Sequence, residues 1–252
     1  MLELNRIYNM DCLEGMKLIP DESIDIIITS PPYNLGKKHH TGSNVFDAYK
    51  DYNDNLPEKD YQEWQINVLN ECYRILKSDG SLWYNHKNRI KEGKQITPYE
   101  WILKTKFIIK QEVVWFNRSQ NFDKCRFYPM TERVYWLAKS SKTKMFNVIN
   151  HHDVFDTKDW KPEGTKGNFK RAFPVKMVED ILKCFPNSKV VLDPFMGSGT
   201  TAIACINMNK SYIGFELVEE HYKLAKDRIN QYIIDKNLQR NLAESPRLQS
   251  LG

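Results

Sequence analysis

Apolar residues along this chain fall into short runs that stop abruptly, separated by longer stretches in which they recur every three or four positions. Ile24-Asp25-Ile26-Ile27-Ile28-Thr29 is a β-branched run ending at Ser30-Pro31-Pro32-Tyr33. Two prolines cannot continue a ladder, so the chain must leave its sheet there, which places Ser30 to Tyr33 at the carboxyl end of a strand. Between Tyr61 and Leu76, the residues Trp64, Val68, Leu69, Cys72 and Leu76 keep helical spacing. Ser78-Asp79-Gly80 then supplies a stop, and Ser81-Leu82-Trp83-Tyr84 predicts the next strand. Residues 111–116 and 133–138 are two further strand candidates.

The second half predicts a helix over 175–184, a strand over 190–192, a Gly-rich turn, a helix over 200–208, a strand over 212–216 and a helix over 219–234. Such alternation implies an α/β fold, a doubly wound and mainly parallel sheet with helices on both faces. Two stretches resist the pattern. Residues 34–57 are rich in Asn, Asp, Lys and Tyr, and residues 140–171 are polar and basic; loops of this length in a domain are usually functional or partly disordered, with solvated insertions that have no task as the alternative reading. Residues 1–234 are expected to form one domain, and the polar segment 235–252, which contains Pro246, is expected to fray.

Composition adds bounds more than direction. With 252 residues, 41% hydrophobic and 12% aromatic, the chain suits one large α/β core. The 37 Lys and Arg against 32 Asp and Glu leave a formal charge of +5, which permits a polyanionic partner without requiring one. Cys12, Cys72, Cys125, Cys184 and Cys205 are scattered and form no C-x-x-C pair, so no metal site is expected and a reducing cytoplasm fits best. The opening MLELNRIYNMDC lacks a signal-peptide pattern and no run is long enough to span a membrane, so no membrane association is expected.

Val190-Val191-Leu192-Asp193-Pro194-Phe195-Met196-Gly197-Ser198-Gly199-Thr200-Thr201 is a strand, a Gly turn and a helix start, an arrangement that lets backbone N–H groups approach a ligand closely. It is not a phosphate-binding P-loop, because the first Gly is missing and Thr200 stands where the lysine should be. Asp193 would repel phosphate but suits a cationic ligand. Glu216 closes the next strand at the interval at which doubly wound folds place an acid for ribose hydroxyls. An adenosine ligand with positive charge and no pyrophosphate fits this description, and S-adenosylmethionine meets it. Tight strand-to-helix packing is the alternative reading of the Gly turn.

Ser30-Pro31-Pro32-Tyr33 adds a hydroxyl, an aromatic face and a backbone carbonyl held by the prolines. A planar base could stack on Tyr33 while its exocyclic amine donates to Ser30 and that carbonyl. Holding both hydrogens would localise the amine lone pair toward a methyl sulfonium, a gain from positioning and electrostatics rather than covalent catalysis. A plain stiff exit from the strand is the alternative.

Together the two motifs resemble those of the DNA amino-methyltransferases of restriction–modification systems, with [Asp/Asn/Ser]-Pro-Pro-[Tyr/Phe] matched by Ser30 to Tyr33 and the cofactor motif by Asp193 to Thr200. The catalytic motif comes first, as in the circularly permuted β group. The resemblance implies the Rossmann-like fold of S-adenosylmethionine-dependent methyltransferases, with Ser30, Pro31, Pro32 and Tyr33 catalytic and the base swung out of a duplex. It implies that the cofactor is held by Asp11 and Cys12, by Phe173 and Pro174, by Asp193, Pro194, Phe195, Gly197, Ser198, Gly199 and Thr200, and by Glu216. Asp11 inherits the adenine contact. Loops 34–57 and 116–171 are the expected target-recognition regions, and Glu132 resembles a position near the target pocket, with a buried structural acid as its other reading.

Serine at the first motif position implies N4 of cytosine as the target, with N6 of adenine the alternative. An RNA or protein amine substrate, and a non-catalytic nucleic-acid-binding module, are lower alternatives. C5-cytosine methylation needs a nucleophilic Cys, typically after Pro, and no Cys here follows a Pro; zinc deamination needs H-x-E and P-C-x-x-C, and the chain has neither. The expected partners are double-stranded DNA and a cognate restriction endonuclease or companion methyltransferase, with the enzyme a monomer or homodimer.

Overall fold

The computed structural model describes residues 2–36, 54–118, 124–148, 152–159 and 172–244, of which 241–244 are described for backbone only. Strands and helices are numbered along the chain. From one edge to the other, the main sheet runs β1 (Arg6–Asn9), β10 (Ser211–Glu216), β9 (Val190–Asp193), β2 (Ile24–Thr29), β3 (Leu76–His86), β7 (Thr131–Ala138), β6 (Ile108–Phe116) and β8 (Val154–Asp156). Only β7 is reversed: it pairs antiparallel with β3 and β6, while every other pairing in this sheet is parallel. A separate hairpin, β4 (Arg89–Lys91) and β5 (Lys94–Ile96), follows β3.

Strand side chains alternate between two cores, as expected for a sheet covered on both faces. Ile26, Ile28, Trp83, Val134 and Trp136 join one cluster with residues of α4 (Val175–Lys183), α5 (Thr200–Asn207) and α6 (Glu219–Glu244). Ile27, Leu82, Tyr84, Tyr135 and Leu137 join the other with residues of α1 (Cys12–Lys17), α2 (Glu58–Ile75) and α3 (Tyr99–Ile102). The doubly wound α/β arrangement is thus present.

Three expectations need correction. Ser78-Asp79-Gly80 does not separate helix from strand, because α2 passes into β3 at Leu76 and these residues form an irregularity in the β2–β3 register between Ile24↔Leu76 and Ile26↔Ser81. The segment after Ile234 does not fray at once, because α6 continues to Glu244. Lys236, Leu238, Gln239, Arg240, Leu242, Ala243 and Glu244 are good helix formers, no Gly or Pro comes between Ile234 and Pro246, and Lys236 Nζ donates to the Ile206 carbonyl at 2.9 Å. Within 116–171, β7 stands where the strand 133–138 is expected, but β8 and a 3₁₀ turn at Thr157–Asp159 lie where only loop is expected. Residues 37–53, 119–123, 149–151 and 160–171 of the expected recognition loops lie outside the described residues.

The parallel strands all present their carboxyl ends on one side of the sheet, and β7 begins there. Asn9 opposite Glu216, Gly214 opposite Asp193, Thr29 opposite Tyr84 and Phe116 opposite Thr131 set the register of that edge. Ligand crevices of open α/β sheets form at such carboxyl ends.

Candidate active site

The Gly turn follows β9, and its conformation is one that glycine favours. Gly197 and Gly199 have φ of +50° and +80°, in the left-handed region. A Cβ on Gly199 would stand 2.9 Å from Ile229 Cδ1, so α6 packs directly on the turn, whereas one on Gly197 would meet nothing nearer than the Phe195 carbonyl at 3.8 Å. The turn is therefore tight on its α6 side and roomy at Gly197. Arg228 completes the α6 clamp, donating to the Ser198 carbonyl at 2.8 Å and lying 3.1 and 3.3 Å from the Ser198 and Thr200 hydroxyls.

Asp193 is 1% exposed and accepts from Thr29 Oγ1 at 2.8 Å, the Phe195 N–H at 3.0 Å and Thr201 Oγ1 at 2.6 Å. Burial raises its pKa to about 6, against the pull of these donors. Both oxygens are engaged by the protein, so Asp193 offers the cleft a negative field more than a free acceptor. Pro194 is buried, and the half-buried Phe195 ring meets Trp64 edge-on at 5.6 Å.

Glu216, at the end of β10, accepts from the Gly197 N–H at 2.9 Å and the Val218 N–H at 3.0 Å, which ties the acid to the Gly turn; burial raises its pKa. Asp11 caps α1, accepting from Leu13 and Glu14 N–H at 2.8 and 3.2 Å, and lies just beyond β1, the strand paired with β10. Cys12 is buried beside it. Phe173 is buried in the same apolar cluster as Met196, and Pro174 caps α4. The residues expected to hold a cofactor thus follow the ends of neighbouring strands, except Phe173 and Pro174, which open α4.

Ser30 to Tyr33 leaves β2, the neighbour of β9, at the same edge. Ser30 Oγ lies 2.7 Å from the Tyr33 hydroxyl, which donates to Glu132 Oε2 at 2.8 Å. Asn85 Nδ2 reaches Tyr33 at 2.7 Å, Glu132 at 3.0 Å and Ser30 at 3.3 Å, and Asn117 Nδ2 donates to the other Glu132 oxygen at 3.1 Å. Burial and the Glu132 charge raise the Tyr33 pKa well above its ordinary value, keeping the phenol protonated. Asn85 is 2% exposed and its Oδ1 is buried with no hydrogen-bond partner. Such an orphaned acceptor within a cluster of polar groups suits a ligand's N–H.

The direction of these bonds follows from valence. The Glu132 carboxylate has no proton to give, so the single proton of Tyr33 points to it and Ser30 must donate to Tyr33. Ser30 Oγ, which accepts from Asn85 Nδ2 at 3.3 Å, then keeps one lone pair for a further donor. Beneath the turn, the Tyr61 hydroxyl donates to the Pro32 carbonyl at 2.7 Å and lies 2.7 Å from His86 Nε2, and the Tyr33 ring packs on His86 at 4.6 Å. Burial lowers the His86 pKa to about 3, so the ring is neutral.

Sequence reasoning placed Ser30 to Tyr33 and the Gly turn but missed Asn85, Asn117, Thr29, Thr201 and Arg228. Only Thr29, adjoining Ser30, and Thr201, closing the Gly-turn motif, carried a local signal. Cys12, Cys72, Cys184 and Cys205 are buried, and burial raises the pKa of each thiol, so none of these is a ready nucleophile. Among the described residues there is no His/Cys/Asp/Glu group able to hold a metal, and no helix long and apolar enough to cross a membrane.

The fold is shared with the PvuII DNA methyltransferase (cytosine-N4-specific), at a TM-score of 0.69 and 20% identity, covering 90% of each chain. TTHA0409 of Thermus thermophilus, solved with S-adenosyl-L-methionine, aligns at 0.65 and 20% identity over 90% of this chain and 95% of that one. In sequence, the type II methyltransferase M.HinfI of Haemophilus influenzae is 30% identical, over 90% of this chain and 69% of its own length. M.BamHI of Bacillus amyloliquefaciens is 29% identical, over 94% of this chain and 59% of its own. The DNA methylase family model of N6/N4 type matches residues 24–227. The chain accordingly belongs to the N6/N4 family of DNA methylases.

Proposed function

We propose that this chain is a site-specific methyltransferase that moves a methyl group from S-adenosylmethionine to the exocyclic N4 amine of a cytosine flipped out of double-stranded DNA. The observation that carries this reading is the directed chain from Ser30 through Tyr33 to Glu132, which leaves Ser30 Oγ as an acceptor at the edge where the Gly turn opens. Ser30 in place of Asp or Asn favours cytosine over adenine.

Gly197, Glu216, Asp11 and Phe173 would hold the adenosine and methionine parts of the cofactor, and Asp193 would set a negative field for its cationic end. When bound, the cofactor supplies an electrophilic methyl group. The protein's part is to orient the amine and to accept its proton. With the Pro32 carbonyl occupied by Tyr61, the Pro31 carbonyl, Ser30 Oγ and Asn85 Oδ1 are the acceptors that serve the amine hydrogens. As nitrogen gains its methyl, one N–H proton passes to Ser30 Oγ, the serine proton to Tyr33 and the tyrosine proton to Glu132, so no residue is left charged except through neutralisation of the carboxylate. The companion in such a system would be a restriction endonuclease or a second methyltransferase, with this chain acting as a monomer or homodimer.

The test separates the two halves of the site. Pro31→Ala and Tyr33→Ala are expected to lose turnover while calorimetry shows cofactor affinity largely kept, because those side chains serve the base. Equal loss of cofactor affinity would contradict the assignment.

A further inference from the structure

The stretch leading into β7 carries an aromatic side chain that the fold does not use. Phe127 is fully exposed, at 101% of its reference surface. Its neighbours Arg126 and Tyr128, by contrast, each have an interaction partner. Arg126 Nη2 donates to the Gly93 carbonyl at 3.0 Å, fixing the stretch to the tip of the β4–β5 hairpin. The phenylalanine that projects into solvent thus directly follows a residue held by the hairpin.

The location gives this exposure a purpose. β7 starts at the edge where the parallel strands end, and Thr131 and Glu132, a few residues beyond Phe127, open that strand. Glu132 belongs to the Ser30–Tyr33–Asn85 cluster, so residues 124–130 approach the side of the sheet from which a nucleobase would enter. Lys124 and Arg126 on the stretch, and Lys94 next to the Gly93 that Arg126 contacts, are exposed cations. Cations meet phosphates and fix register on a duplex, whereas an exposed aromatic ring reads no phosphate but can stack on bases.

We propose that Phe127 enters the duplex as the target base leaves it and takes its place in the stack. The inference rests on the reading of duplex DNA as substrate. Extruding a base unstacks its two neighbours, and an inserted apolar side chain offsets that loss, as wedge residues of other DNA-bending proteins do. The benefit exists only for a paired target, since a base without a partner is already easy to extrude.

That dependence supplies the test. The modified position is first read by sequencing DNA methylated by the unaltered protein, and duplex oligonucleotides containing it are made with the target either paired or opposite an abasic position. Phe127→Ala is expected to lower kcat/KM about tenfold or more on the paired duplex, and to return to within about threefold of the unaltered protein opposite the abasic position. Phe127→Trp is expected to retain activity on both duplexes. Equal loss on the two duplexes, or no loss on the paired one, would overturn the wedge. If the unaltered protein methylates no DNA, the substrate reading fails first and is recognised as such.

Discussion

Thr29 Oγ1 donates to Asp193 Oδ1 at 2.8 Å, joining the last residue of β2 to the last residue of β9. The two chemical motifs of the chain, 164 residues apart in sequence, begin immediately after this bond. Both partners are fully buried, so the bond fixes one motif relative to the other rather than decorating a surface. Thr29→Val keeps the side-chain shape and removes the donor. It is expected to cost about 1–3 kcal/mol of stability in urea denaturation, because a buried acceptor is left short of a partner. Cofactor affinity and turnover should fall together, unlike the response to changes at Tyr33.

The same carboxyl group predicts a pH dependence. Asp193 titrates near 6 in the folded chain, against 3.8 as its ordinary value, so between those values the folded state holds a proton that the unfolded state has released. Stability from this group is therefore greatest in acid and is lost as pH rises through the window, by about 3 kcal/mol at most. Affinity for a cationic cofactor runs the other way, rising as Asp193 ionises. Asp193→Asn should flatten both trends when denaturation midpoints and calorimetric affinities are compared at about pH 5 and about pH 7.5.

Glu132 sets the direction of the Ser30–Tyr33 chain, and an amide in its place could donate to Tyr33 and reverse it. Glu132→Gln is expected to lower kcat by about a hundredfold, in the range of general acid–base contributions, with cofactor affinity unchanged. Single-turnover methyl transfer with saturating cofactor measures this directly. A matching loss of cofactor affinity would place Glu132 in the other half of the site.

Gly197 and Gly199 share a left-handed backbone but differ in surroundings. Gly197→Ala carries the conformational cost of about 1–2 kcal/mol and little else in stability, while its methyl group intrudes on the space above the turn. Gly199→Ala adds the approach to Ile229 and should be the less stable of the two by thermal denaturation. Gly197→Ala should show the larger loss of cofactor affinity relative to its loss of stability.

Much of the fold was legible because β2, β9 and β10 are β-branched or aromatic runs cut off by Pro, Gly or an acid. β1, four residues at the sheet edge, has too few apolar positions to announce itself, and α1 and α3 are too short for periodicity to register. Pro246 as the first strong helix breaker explains why α6 outlasts its apolar spacing. Ser30 and Tyr33 stood in one local motif, but Glu132 is 99 residues from Tyr33 and 47 from Asn85; its place in the cluster comes from the reversed pairing of β7 against β3, so only the family resemblance pointed to it. Strand order of that kind leaves no mark on local spacing. Arg228 likewise is one charge among many on α6, and only the packing of α6 on the Gly turn brings it to the Ser198 carbonyl.

Nucleoside mass spectrometry of duplex DNA incubated with the protein and isotope-labelled S-adenosylmethionine tests the central claim most directly. Label is expected in N4-methylcytosine and is expected to be abolished by Tyr33→Ala. Label found only in N6-methyladenine would contradict the assigned base, and no label in any nucleobase would contradict transfer to an extruded amine altogether.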